Sequence, residues 1–127
     1  MDYYDWIHYL VDLMIVELEE ELGKNFARDG EMAWEAAKHC EAMMQRGGCY
    51  HAPRFFWGSA VNEAVGEITV PYNQWTIEQA VTKMGHEFLM SHDHHGALRY
   101  FPVIGAGLAV KEIGSGQVIL FVTIRLK

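Results

Sequence analysis

Residues 103–126 read VIGAGLAVKEIGSGQVILFVTIRL, and this stretch decides the fold. Residues 103–110 and 117–124 are two strand-like apolar runs, and Gly114-Ser115-Gly116 between them supplies the small residues of a hairpin turn. In the second run Val118, Leu120, Val122 and Ile124 alternate with Ile119, Phe121 and Thr123, so both faces are apolar. A strand pair with two apolar faces sits inside a sheet covered on both sides, and the covering layers must come from upstream. The expectation is an α+β protein, a three-layer α/β/α sandwich whose central antiparallel sheet has the 103–126 strands at its middle.

The upstream chain offers those layers. Residues 3–22 place Trp6, Leu10, Leu13, Met14 and Leu18 at helical spacing, and Gly23 marks a stop. The run Glu19-Glu20-Glu21 at its end reads as a solvated face. A second helix is predicted over 29–45, with Asp29 as N-cap and Met32, Ala36, Cys40, Met43 and Met44 as its apolar stripe. Ala33, Ala36 and Ala37 would let another element come close, and Gly47-Gly48 ends the helix before the loop that carries His51. Residues 58–70 are rich in small side chains, include Glu63 and Glu67, and take no clear assignment. Residues 71–74 read as a turn, after which Thr76-x-x-Gln79 is a capping box for a third helix running to about Met90.

Composition bounds the rest. A chain of 127 residues, half of them hydrophobic and 13% aromatic, makes one folded domain with a core that needs no disulfide staples. The net charge of −7 argues against nucleic-acid and anionic-membrane partners, which require basic patches. No apolar run approaches the ~20 residues of a membrane-spanning helix. The start Met-Asp-Tyr-Tyr-Asp is acidic where a secretory signal is basic, so no signal peptide is read. Cys40 falls on the second helix's apolar stripe; it and Cys49 are read as buried free thiols rather than a bridge or a zinc motif.

Chemistry concentrates in His86-Glu87-Phe88-Leu89-Met90-Ser91-His92-Asp93-His94-His95. Imidazoles titrate near neutrality and bind first-row metals. The zinc-protease pattern HExxH fails here, because Met90 stands where the second His is needed. The His92-Asp93-His94 pattern suits metal sites built on strands, whereas this segment follows a helix. The alternative reading of the cluster alone is a helix terminus at the surface that happens to be His-rich.

The order of segments resembles the CAP superfamily, the SCP-like group of cysteine-rich secretory, antigen 5 and pathogenesis-related proteins. Ala37-Lys38-His39-Cys40-Glu41-Ala42-Met43, then Gly47-Gly48-Cys49-Tyr50-His51, resembles the bacterial branch's helix, glycine loop and histidine. Gly66-Glu67-Ile68 stands where the family has Gly-Glu-Asn, and the stretch from Phe88 to His94 resembles W-x-x-S-x-x-H with Phe for Trp. The stretch from Val103 to Ala109 is similar to the family's glycine-bearing strand. The match runs from Trp34 to the end; residues 1–33 fit less well and lack the usual Asn-x-x-Arg.

The resemblance implies a cleft built by His51, Glu67 and His94, with Ser91 where better-known members have a second Glu. Glu87 and His92 are further candidates. Two imidazoles and a carboxylate suit Zn²⁺ with a fourth position for water, and they equally suit a metal-free hydrogen-bonded cluster around the cleft. Ser91 with His94 and Glu67 is a candidate hydrolase triad, Ser91 being the catalytic candidate. Three readings follow: a non-enzymatic module binding a small lipid, peptide or protein; a metal-dependent or Ser-based hydrolase using the same cleft; and a purely structural interaction domain anchored on Phe55, Phe56 and Trp57. The family works outside the cytoplasm, secreted or at the cell envelope.

Overall fold

The computed structural model describes residues 2–71 and 73–127. Helix α1, Tyr3–Leu22, starts where the Asp2 carboxylate accepts the Asp5 N–H at 2.8 Å and stops at Gly23, whose φ of 66° closes the last turn. A two-residue strand β1, Ala27–Arg28, leads into α2, Gly30–Arg46, capped by Asp29 on the Met32 N–H and closed by Gly47. A single 3-10 turn, Arg54–Phe56, precedes β2, Asn62–Pro71. Helix α3, Ile77–Met90, carries the expected capping box between Thr76 and Gln79. It is followed by α4, His92–Tyr100, and by the hairpin β3, Val103–Gly114, with β4, Gln117–Leu126. Ser115 and its two flanking glycines all take positive φ in the hairpin turn.

The sheet order is β1-β3-β4-β2, so the 103–126 hairpin does form the centre. β2 and β3 both run antiparallel to β4, while the short β1 pairs in parallel with Val103 and Ile104. Three local features depart from the sequence reading. Residues 62–71, left unassigned, are an edge strand of ten residues. The sheet is mixed through β1, which is too short to leave a periodic signal. The histidine-rich segment opens a new helix, because Ser91 has an extended backbone (φ −78°, ψ 123°) that breaks α3 from α4. The turn expected at 71–74 includes Tyr72, which lies outside the described residues.

The layers follow the strand alternation. Leu10, Met14 and Leu18 of α1, Val81, Met84 and Phe88 of α3, and Val118, Leu120, Val122 and Ile124 of β4 make one buried cluster. On the other face Cys40 and Met43 of α2 pack on Ala109 and Phe121. Both thiols are free; Cys40 is buried, donates to the Thr123 hydroxyl at 3.2 Å and has its pKa pushed up to about 12 by that burial. Cys49 is only half-buried, not fully as expected.

The close approach foreseen from the α2 alanines is made on two glycines of β3. A Cβ at Gly105 would lie 2.5 Å from the Met32 Cβ, and one at Gly107 would lie 2.3 Å from the Ala37 backbone nitrogen. Both distances are below any real contact, and the obstacle at Gly107 is helix backbone, which cannot turn away as a side chain can. Gly107→Ala is therefore expected to destabilise the protein by about 3 kcal/mol or more, read from urea unfolding. Gly48→Ala, where nothing lies within 4 Å, is the control and should change little. Equal stability of the two variants would show that α2 does not sit where described.

Candidate functional site

β2, α3 and the start of α4 enclose a notch of about 210 Å³ at the β2 edge of the sheet. Its lining brings together Glu67 of β2, Glu87 of α3, Ser91 at the helix break and His94 of α4, around Gly66, Met84 and Phe88. The break at Ser91 is what delivers His94: α4 turns its imidazole onto the Phe88 ring, edge to face at 5.3 Å between centroids. Gly66 makes room for this, since a Cβ there would meet Phe88 Cζ at 3.0 Å. Glu87, undecided from sequence, faces the notch.

His51 approaches from the loop after α2. Its Nδ1–H donates to Glu63 Oε1 at 3.1 Å, and the side chain is otherwise largely exposed. The carboxylate at His51 is thus Glu63, not the Glu67 assigned from the glycine-glutamate match. Glu67 Oε1 instead accepts the Cys49 N–H at 3.4 Å. Glu63 is buried; it also accepts the Ala52 N–H at 2.9 Å and pairs with the buried guanidinium of Arg125 at 3.0 Å. One buried carboxylate therefore ties the His51 loop to the central strand. The pair is hard to see in the sequence because Arg125 sits in an apolar run and Glu63 in a segment without clear periodicity. The odd-numbered face that Arg125 shares with Phe121 and Thr123 was the available signal.

His94 lies near enough to His51 to feel it. Partial burial pushes the His94 pKa below its ordinary value, and His51 lowers it further, against a smaller opposing effect of Asp93. The imidazole is accordingly neutral at pH 7. Two more histidines of the 86–95 segment are engaged elsewhere: His86 with Glu21 at 3.2 Å and His95 Nδ1–H on the Leu89 carbonyl at 2.9 Å. His92 is exposed and does not line the notch.

The donor set does not fit zinc. Among the described residues no three His, Cys, Asp or Glu side chains stand where one metal ion could join them. His51 is turned to Glu63, and Glu67 to a backbone N–H. A Ser91 hydroxyl bond to His94 or Glu67, which a serine nucleophile would use, is absent among the described residues.

No family model matches the sequence, and comparison with curated proteins gives no match. Solved structures do resemble the fold. An outer surface protein from Borrelia burgdorferi aligns over 100% of this chain and 96% of its own, with a TM-score of 0.53 and 14% identity. An extracellular protein containing an SCP domain, from Bacillus anthracis, aligns over 95% of this chain with a TM-score of 0.50 and 15% identity. This chain spans 40% of that protein. The architecture is SCP-like, that is, of the CAP type.

Two outcomes check the geometry. Removing the Glu63 charge with Glu63→Gln leaves a buried unpaired guanidinium and should cost about 3–5 kcal/mol in urea unfolding. The double replacement Glu63→Met with Arg125→Met should recover most of the loss; a single-variant cost under about 1 kcal/mol, typical of exposed pairs, would contradict the burial. In an NMR titration His94 should protonate below the ordinary histidine pKa, and His51→Ala should move its midpoint part of the way back up. Because the depressed pKa belongs to the folded state, His94's contribution to stability is full above pH 6.5 and is lost as pH falls through its own pKa. A His94 midpoint at or above 6.5 would contradict this environment.

Proposed function

We propose that this CAP-like fold is a non-enzymatic binding module whose β2-edge notch takes the polar end of a small lipid or peptide. The observation that carries the reading is the lining itself: two carboxylates, Glu67 and Glu87, beside a neutral imidazole and over an apolar wall of Met84 and Phe88. A site of about 210 Å³ is below the ~300–1,000 Å³ of sites that enclose a whole drug-sized ligand, so it holds an end group. Its net charge is negative, since two carboxylates line it and Lys83, 3.9 Å from Glu87, offsets one of them. The fitting end group is a hydrogen-bond donor, above all an ammonium, with its carbon chain against Met84 and Phe88. Such a group occurs on amine-bearing lipids and on lysine-containing peptides. Recognition needs no metal and no nucleophile. The secreted and envelope setting of the family, and of the two solved relatives, supports a place outside the cytoplasm. Among the described residues no helix is long and apolar enough to cross a membrane.

Butylamine and butyrate are the probes, with the Met84 methyl and the His94 ring as NMR reporters. Butylamine should shift both reporters and butyrate should not. Glu67→Gln and Glu87→Gln should each weaken the effect about fivefold. Binding should fall as pH drops below 6.5, because a protonated His94 repels the ammonium. Equal response to both probes, or calorimetric zinc binding lost in His51→Ala and His94→Ala but kept in His86→Ala and His95→Ala, would overturn the reading.

A further inference from the structure

At the opposite edge of the sheet from the notch, β3 is covered by β1 for only two residues. The Asp29 N–H bonds the Ile104 carbonyl at 2.9 Å, and the chain then lifts away into α2. Val103 and Lys127 exchange both of their backbone hydrogen bonds, at 3.1 Å, which sets the parity of the ladder: Gly105, Gly107 and Ala109 bond β4, while Ala106, Leu108 and Val110 point their N–H and C=O outward. Past Ile104 the outward partner found among the described residues is the Tyr3 hydroxyl, at 3.4 Å from the Val110 nitrogen. Ala106 and Leu108 are nonetheless buried residues, each 3% exposed. The outward polar groups of Ala106 lie in a groove of about 590 Å³ whose β3 floor is Ile104, Ala106 and Gly107, walled by Ile7 and Val11 of α1 and by Ala33, Trp34 and Ala37 of α2. Leu108 continues the same open edge beyond that floor.

A groove of apolar walls with backbone donors and acceptors along its floor selects its occupant. An acyl chain would match the walls and leave the floor's hydrogen-bonding groups unmade, at a cost for each. An extended peptide matches both, because its own backbone pairs with the edge and its alternating side chains meet the two walls. Charge narrows the choice. Of the charged residues lining the groove, Arg28 is paired with Asp12 and Glu19, Asp29 with Lys127, and Lys38 with Glu35. Glu41 has no ion-pair partner among the described residues, and it acts on Tyr3 at the Val110 end.

We infer that this groove is a strand-addition site, taking an extended peptide segment of about five residues along Ala106–Val110 with a basic residue beside Glu41. The segment continues where β1 stops and closes the open edge of the sheet. The site is separate from the notch, and the two can fail independently because they lie on opposite edges and have different reporters.

The test uses the full chain and the capped hexapeptide acetyl-Val-Thr-Val-Thr-Val-Lys-amide at low salt, followed by amide NMR. The Ala106 and Leu108 amides should shift and their hydrogen exchange should slow by about tenfold or more at saturation. The same peptide methylated on alternate nitrogens should not bind. Glu41→Lys should weaken binding about fivefold, an effect that salt removes. The inference is overturned by unchanged Ala106 and Leu108 exchange at millimolar peptide, by equal binding of the methylated peptide, or by shifts confined to the Met84 notch. It is also overturned if palmitate fills the groove and the hexapeptide does not. Unaltered affinity in Glu41→Lys would overturn the basic-residue assignment.

Discussion

The seating of α2 on the bare backbone of β3 is the contact on which the rest depends. With glycine at 105 and 107 the helix comes down until its own backbone touches the strand, with Met32, Ala33, Ala36 and Ala37 forming the contact. Any side chain at those positions would lift the helix and open the layer beneath Cys40, Met43 and Phe121. The loop after α2 starts from this fixed point, so the position of His51 is inherited from it. The opposite layer tolerates ordinary side-chain packing, because α1 and α3 rest on a broad cluster of aliphatic residues.

Both candidate sites are consequences of how the sheet ends. At the β2 edge, α3 breaks at Ser91 and the short α4 swings His94 against Phe88, while a buried Glu63–Arg125 pair fastens the His51 loop from the other side. At the β3 edge, two residues of β1 start to cover the strand and then rise into α2, leaving a trough between helices on opposite faces. A four-stranded sheet in a chain of this size cannot cover both of its edges with strands, and each uncovered edge has become a recess with its own chemistry. One recess is polar and small; the other is long and apolar with a hydrogen-bonding floor.

Much of the architecture could be read from the chain because the signals were strong and local. The two-faced apolar pattern of Val118 to Ile124 placed β4 at the centre, and the caps at Asp29, Thr76 and Gly47 set helix ends. The alanines of α2 and the glycines of β3 complement one another across the layer. What escaped was non-local or short. β1 has two residues and no period. β2 is an edge strand with Glu63, Gly66 and Glu67 in it, so two carboxylates and a glycine mask its alternation. The His51 partner is not legible in the chain, because Gly66-Glu67 matches a family pattern while the buried Glu63 is fixed by Arg125, sixty-two positions away. The end of α3 at Met90 lies where the sequence puts it, and the nine-residue α4 beyond Ser91 is what the sequence does not announce.

The most direct test of the account is native-state amide hydrogen exchange along β3. The seating of α2, the sheet order and the open edge together predict an alternation: the amides of Gly105, Gly107 and Ala109, bonded to β4, should exchange only on global unfolding. Those of Ala106 and Leu108, pointing away from β4 along the open edge, should exchange far faster in the free protein. Uniform protection from Gly105 to Val110 would contradict the account, because it would mean that another strand already covers this edge.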